Sequence, residues 1–268
     1  MQIWEVDLFV DGPISVRRRI RTEQQKGFRP DDPFYSEIDL RSRQAGGLHA
    51  TVTTRAPGED AALRAAIVFF GQMLDSLTIA IDQPLSLSSV ETTRPARRPH
   101  EVRRVVDESE FEMAFAEAQL LREGSPSFLR ALGWYRKGRY AEDPLDAYLA
   151  LWNSIEIVAS KYYRYVDSVD KERAKNGAKS QVWECFKALW GDCSEWPFIP
   201  GDSDWIDTSY STRKDIAHGI KKLTVEHITA VGEKRQQISD VAHRFLRDWR
   251  ERLLECDRGT PSEMLPSD

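Results

Sequence analysis

Cysteine is scarce in this chain of 268 residues: Cys185, Cys193 and Cys256 are odd in number, widely spaced and without a Cys-x-x-Cys pair. That spacing argues against a disulfide framework and a cysteine-based zinc site, and the thiols are expected to be buried or inert. No apolar run approaches the roughly 20 residues needed to cross a bilayer, so no membrane span is expected. Met1-Gln2-Ile3-Trp4-Glu5 lacks a basic segment followed by an apolar core, which argues against a secretory signal and sets a cytoplasmic expectation. An excess of positive charge is missing too: 38 Lys and Arg against 43 Asp and Glu give a formal charge of −5, hence no global attraction to nucleic acid. The positive charge that exists is clustered, in Arg17-Arg18-Arg19-Ile20-Arg21 and again in Arg94, Arg97, Arg98, Arg103 and Arg104. These are solvated loop charges on the plain reading and RNA-binding candidates on the functional one.

What is present is a globular composition, 41% apolar with 10% aromatics, in a chain long enough for one or two domains. Residues 2 to 10 are dense in β-branched and aromatic side chains and end at the turn Asp11-Gly12-Pro13, as a first strand would. Ile38 to Arg41 and Leu48 to Thr53 alternate across Ala45-Gly46-Gly47, which predicts a hairpin. Leu63, Ile67, Phe70 and Leu74 mark a helix over 60–77, and Thr78-Ile79-Ala80-Ile81 returns to a strand. Residues 93–106 shift to Thr, Arg and Pro, with Pro95 and Pro99 holding their predecessors extended, and set a domain boundary.

Beyond it helices dominate. Asp107 or Ser109 can cap one containing Phe111, Ala114, Phe115 and Ala118, and 127–139 carries Phe128, Leu132 and Tyr135 at helical spacing. Asp143-Pro144 opens the clearest helix, whose stripe runs through Tyr148, Leu151, Trp152, Ile155, Val158, Ala159 and Tyr162. Residues 171–179 read as a loop or a solvated helix face, 182–190 as a short amphipathic helix ended by Gly191, and 204–217 as a helix ended by Gly219. Thr224 caps a last long helix. The expected fold is therefore α+β: a small N-terminal α+β unit over 1–92, a linker over 93–106, a helical domain over 107–256 and a frayed tail over 257–268. The aromatic cluster of Trp152, Tyr162, Tyr163 and Trp190 reads as core rather than as base-stacking platforms.

Histidine is also rare, at five residues. An arginine followed four to six positions later by a histidine occurs three times: Arg43 with His49, Arg94 with His100, and Arg213 with His218. The first spans the glycine turn and the second lies in the proline-rich linker, so only Arg213 and His218 sit in a helical, apolar setting. The bland reading there is a cap histidine bonded to a carbonyl and an arginine paired with Glu156 or Asp215. The functional reading is RNA cleavage without a metal or cofactor. Such cleavage needs a base for the 2′-hydroxyl proton, an acid for the leaving 5′-oxygen, and a cation for charge growing on phosphate. Histidine suits proton transfer near neutral pH, and arginine binds phosphate through paired hydrogen bonds. Lys214 adds phosphate attraction, and Glu156 can orient either side chain. Five positions on a regular helix differ by about 140° in direction, so the two face apart unless the helix end unwinds over 217–219 or two protomers build one site.

Leu132-Gly133-Trp134-Tyr135, then Tyr148 to Glu156, then Arg213-Lys214-Asp215-Ile216-Ala217-His218-Gly219 ahead of a long amphipathic helix, form a combination that resembles the HEPN superfamily over roughly 107–255. More narrowly it looks like the branch at the C-terminus of ApeA-type defence proteins and in MauJ-like proteins of methylamine utilisation. The resemblance implies a helical bundle, a homodimer, and an Arg213/His218 endoribonuclease leaving 2′,3′-cyclic phosphate ends, with tRNA in antiviral defence as a setting. Many members are non-catalytic, and Lys214 stands where nucleases of the family often carry Asn, Asp or His. A non-catalytic binding or accessory module is accordingly the alternative. Ile220 stands two residues after His218, where toxins paired with a nucleotidyltransferase antitoxin carry Tyr, so no such antitoxin partner is expected.

Overall fold

The computed structural model describes residues 2–23, 34–44, 46–91, 102–220, 222 and 224–257. The expected tail beyond residue 257 lies outside them. The fold is α+β, 61% helix and 16% strand. Strands β1 (Gln2–Asp11), β2 (Ile14–Ser15), β3 (Ile20–Glu23), β4 (Phe34–Ser42) and β5 (Leu48–Ala56) precede helix α1 (Glu59–Ile81). Strands β6 (Ser86–Ser88) and β7 (Arg104–Val105) follow, then α2 (Glu108–Gly124), α3 (Pro126–Tyr140), α4 (Pro144–Tyr162), α5 (Lys171–Ala174), α6 (Ala178–Trp190), α7 (Trp205–Ala217) and α8 (Val225–Asp257). The chain forms two compact units, residues 1–119 and 120–268.

In the first unit an antiparallel sheet has the order β3-β4-β5-β1-β6, and β2 pairs in parallel with β7. Alternation decides which face is buried: Leu8, Val10, Ile38, Leu40, Leu48, Ala50 and Val52 lie in the core with Phe70, Met73, Leu74 and Leu77 of α1. The β4–β5 turn needs Gly47, whose φ is +74° and where an added Cβ would stand 2.0 Å from the Val10 carbonyl oxygen. The expected strand at 78–81 is instead the end of α1, because Leu74, Leu77 and Ile81 bury along its helical face. Asp82 then ends the helix in the left-handed region, its N–H donating to the Thr78 carbonyl at 2.9 Å. Over its 23 residues α1 is long and apolar enough to span a bilayer, contrary to the sequence expectation, although 72% of its most apolar window is buried in the protein.

Phe111, Ala114 and Phe115 of α2 join this first core, so the division falls inside α2 rather than over 93–106. Asp107 caps α2 by accepting from the Glu110 N–H at 3.0 Å, while Glu110 accepts the Asp107 N–H at 3.1 Å, a reciprocal box that satisfies two end donors.

The second unit is built around α4, which packs against α3, α6, α7 and α8. Asp143 accepts from the N–H groups of Leu145 and Asp146 at 2.8 and 3.0 Å, and Pro144 fills the first helical position. Tyr148, Leu151, Trp152, Ile155, Val158 and Tyr162 are all buried, which makes the stripe a core. At Gly138 an added Cβ would stand 2.6 Å from Leu151 Cγ, so that glycine is what lets α3 approach α4 so closely. Phe186 of α6 centres an aromatic cluster, 4.7 Å from Trp190, 5.3 Å from Trp196 and 5.2 Å from Phe245 between ring centres. Residues 171–174, expected in a loop or solvated face, form the short α5 under an Asp170 cap. Cys185 is buried and burial pushes its thiol pKa well up, as expected of an inert cysteine.

Candidate functional site

Helix α7 carries the residues singled out by the sequence. Its N-terminal half is fixed by buried Trp205 and Ile206 and by Lys179 of α6, which pairs with Asp207 at 2.7 Å. Its C-terminus closes on backbone groups alone: the Ile220 N–H donates to the Asp215 carbonyl at 3.0 Å and the Gly219 N–H to that of Ile216 at 3.3 Å. Gly219 at φ +60° supplies the left-handed residue that this Schellman closure requires. His218 is the C-cap residue, at φ −104° and ψ 1°, and the helix does not unwind ahead of it.

Arg213 and His218 therefore have different surroundings. Arg213 is half-buried, its Nε 3.5 Å from Glu156 Oε2 on α4 without hydrogen-bond geometry. Glu156 is held by the Trp152 indole, whose Nε1 donates to Oε2 at 2.6 Å. His218 is exposed, and among the described residues no hydrogen bond or ion pair joins it to Arg213 or to Glu156. Glu156 thus sets Arg213 and leaves His218 alone. Lys214 is exposed beside them, and Asp215 gives its carbonyl to the helix closure. The two candidate groups share one helix end, and one protomer does not bring them into contact.

The other Arg-to-His spacings resolve differently. Arg94 and His100 lie outside the described residues. His49 pairs with Arg41 instead of Arg43: Arg41 donates to His49 Nδ1 from Nε at 2.9 Å and from the terminal Nη2 at 2.6 Å. A bare Nδ1 places the ring proton on Nε2, which donates to Asp7 Oδ1 at 2.8 Å. Burial works against the Asp7 charge, but hydrogen bonds from Thr51 and His49 and the charges nearby hold its carboxyl below the usual range. Both nitrogens of His49 are consumed by structure.

Of the arginine cluster, Arg97 and Arg98 also lie outside the described residues. Arg103 donates to the Gln44 carbonyl at 3.3 Å, and Arg104 to Glu110 Oε2 at 3.0 Å. In the first basic run, Arg19 and Arg21 converge on Asp39, with Arg21 Nε 3.0 Å from Oδ2, and hydrogen bonds from Arg19 above all hold the Asp39 carboxyl below its usual range. Much of the clustered positive charge is spent inside the unit that carries it.

Residues that the sequence did not suggest border α7 on its other flank. Tyr148 of α4 is buried, and its phenol shares hydrogen bonds with the hydroxyls of Ser209 and Thr212; burial raises its pKa, the two hydrogen bonds opposing. Beside it a cleft of about 180 Å³ opens between α4, α7 and α8. Lys234 and Gln237 reach it from α8, and no sequence signal ties them to Tyr148 or to Trp205 and Ser209. No group of three or more His, Cys, Asp or Glu that could hold a metal occurs among the described residues. No family model, no curated protein and no solved structure matches the chain.

Proposed function

We propose that this protein is a metal-independent endoribonuclease of HEPN type, acting as a homodimer in which two copies of α7 assemble one site. The observation that carries the reading is the end of α7. Arg213 stands half-buried at a fixed carboxylate with its Nε–H unsatisfied, and Lys214 and His218 stand exposed within five residues of it. The Nε itself is buried, so a phosphate entering there meets the part of the guanidinium that stays exposed, 24% of the side chain, and guanidinium binds phosphate through parallel N–H donors. His218, with no structural hydrogen bond to give up, supplies proton transfer at the 2′-hydroxyl or the leaving 5′-oxygen. Because one protomer leaves the two groups apart, a two-fold axis near α7 supplies the histidine of one copy to the arginine of the other. The stripe of α4 from Tyr148 to Tyr162 is interior, so the reading sets that contact on α7.

The test is cleavage of a mixed tRNA pool by the purified chain, with EDTA present, and analysis of product ends. Products with 2′,3′-cyclic phosphate, unaffected by EDTA and lost in His218→Ala, are expected. An intact pool, or a His218→Ala variant that cuts as fast as the parent, overturns the reading. Mixing Arg213→Ala with His218→Ala protomers restores activity only if two chains share a site, and light scattering at micromolar concentration reads the dimer directly.

A second reading has its own observation. Glu156, 3.5 Å from the Arg213 Nε, already offsets its charge, and an arginine held against a carboxylate is what a non-catalytic HEPN-like accessory module would keep. RNA binding without cleavage, or no RNA binding at all, favours it.

A further inference from the structure

We propose that the cleft between α4, α7 and α8 is a nucleobase subsite that gives this protein a base preference in single-stranded RNA. The inference rests on the reading of α7 as an RNA-binding helix and adds what lies beside the phosphate. The cleft, about 180 Å³, is smaller than the about 300 to 1,000 Å³ of pockets for drug-sized ligands, so a single ring system suits it better than a whole cofactor. Its wall and floor are aromatic and buried: Trp205 is 5% exposed and Tyr148 1%. Its rim is polar and accessible, with Asp202, Lys234 and Gln237 all exposed.

The donors and acceptors are those a base edge requires. The Gln237 Oε1 accepts from Trp205 Nε1 at 3.1 Å, which fixes the amide orientation and leaves its NH2 without a partner among the described residues. Two donors on one planar group suit ring nitrogens and carbonyls of a base edge, and the carboxylate of Asp202 suits an exocyclic amine or ring N–H. Lys234 makes no ion pair among the described residues, and its ammonium is a point charge for a flanking phosphate. Trp205 packs on Phe186 and is almost wholly buried, so it gives an entering base only an apolar edge, and discrimination falls to Gln237 and Asp202.

Position links the cleft to Arg213. Ser209, in the cleft, precedes Arg213 by one helical turn on the same side of α7, a rise of about 6 Å. On α4, Tyr148 in the cleft and Glu156 at Arg213 are eight residues apart, a little over two turns, and about 80° apart around the helix. A chain whose phosphate meets Arg213 can therefore place a neighbouring base against Trp205.

The full-length protein is titrated with fluorescent hexanucleotides of A, C, G and U, read by anisotropy, and competed with free nucleoside monophosphates. One base is expected to bind about tenfold more tightly than the weakest, the scale of one good base contact. Gln237→Glu keeps the oxygen that accepts from Trp205 and replaces the amide donors, so the fold is retained and the ranking of bases changes. Lys234→Ala weakens all four by a similar factor and lowers the salt dependence by about one phosphate contact. Equal binding of all four RNAs, a ranking unchanged in Gln237→Glu, or monophosphates that outcompete the hexanucleotides overturns the subsite. The nuclease reading fails separately: RNA bound with a Gln237-dependent preference but never cut leaves the subsite standing and removes catalysis.

Discussion

The open face of the five-stranded sheet and the exposed side of α7 are both rich in charge, and they handle it in opposite ways. On the sheet, Arg19 and Arg21 share Asp39, Arg43 pairs with Asp11 at 2.7 Å while lying over the Phe9 ring, and His49 is pinned between Arg41 and Asp7. On α7 the Arg213 Nε has a carboxylate nearby but no hydrogen bond, and His218 and Lys214 project from the helix. The lesson is that a dense patch of arginine is a poor guide to a site. Buried polar groups in folded proteins are nearly always paired, but the Nε groups of Arg213 and Arg247 are both buried without a hydrogen-bond partner, so what sets Arg213 apart is the exposed Lys214 and His218 beside it.

The sharpest way to break this contrast is His218→Ala. An exposed ring with no hydrogen bond adds little to the fold, so thermal unfolding should stay within about 0.5 kcal/mol of the parent. RNA cleavage should fall by about 10² to 10⁴-fold. If the variant instead unfolds, His218 belongs with His49 as a structural group and the contrast disappears.

Gly47→Ala attacks the other side of the comparison. Its Cβ would meet the Val10 carbonyl oxygen at 2.0 Å, at a φ of +74° that side chains rarely adopt. A loss of about 3 kcal/mol or more is expected, because backbone must move and the conformation is itself strained. Hydrogen exchange resolved by segment should show protection lost in β1, β4 and β5.

Glu156 separates the structural from the functional role of one side chain. Glu156→Ala strips the acceptor from the buried Trp152 indole and should cost about 1 to 3 kcal/mol in a denaturant melt. Glu156→Gln keeps an acceptor, should cost less than that, and frees Arg213 from its counter-charge, so RNA should bind more tightly. Unchanged RNA affinity in Glu156→Gln would mean that Arg213 does not meet the phosphate.

The smallest effect is expected from Asp39→Asn. Its carboxyl pKa is depressed in the folded state, so the stabilisation is present above the unfolded value near 4 and is lost as the pH falls through the lower folded value. The arginine partners are largely exposed, which limits the loss at neutral pH to about 1 kcal/mol or less and makes it shrink in salt. Parent and variant melts should converge in strong acid; a constant difference at every pH would assign the effect to packing.

Much of the helical unit was legible because its signals are local. Asp143-Pro144, Gly191, Gly219 and Thr224 mark helix ends by backbone chemistry that needs no distant partner, and the stripe from Tyr148 to Tyr162 follows from period alone. Thr78 to Ile81 misled because β-branched residues favour strands only until a core claims them in helical register. Strands β3 and β6 are four and three residues long, too short for alternation to stand out. At the site, Arg213, Lys214 and His218 were visible as a spacing, and Glu156 as the partner of one of them. Gln237 and Lys234 were not, since only packing of α8 beside α7 brings them to Trp205 and Ser209.

The closure at Gly219 has a consequence for how residue 218 came to be histidine. Ile220 and Gly219 tie the helix end with their own N–H groups, and the side chain at 218 takes no part in the knot. Folding consequently exerts almost no selection on that side chain, beyond refusing proline, whose missing N–H would break the bond to Lys214. The position is a blank that the architecture holds open. A library of all substitutions at 218, sorted once for folding and once for RNA cleavage, would return nearly every residue from the first sort, and on the nuclease reading proposed above would narrow in the second to side chains that can transfer a proton.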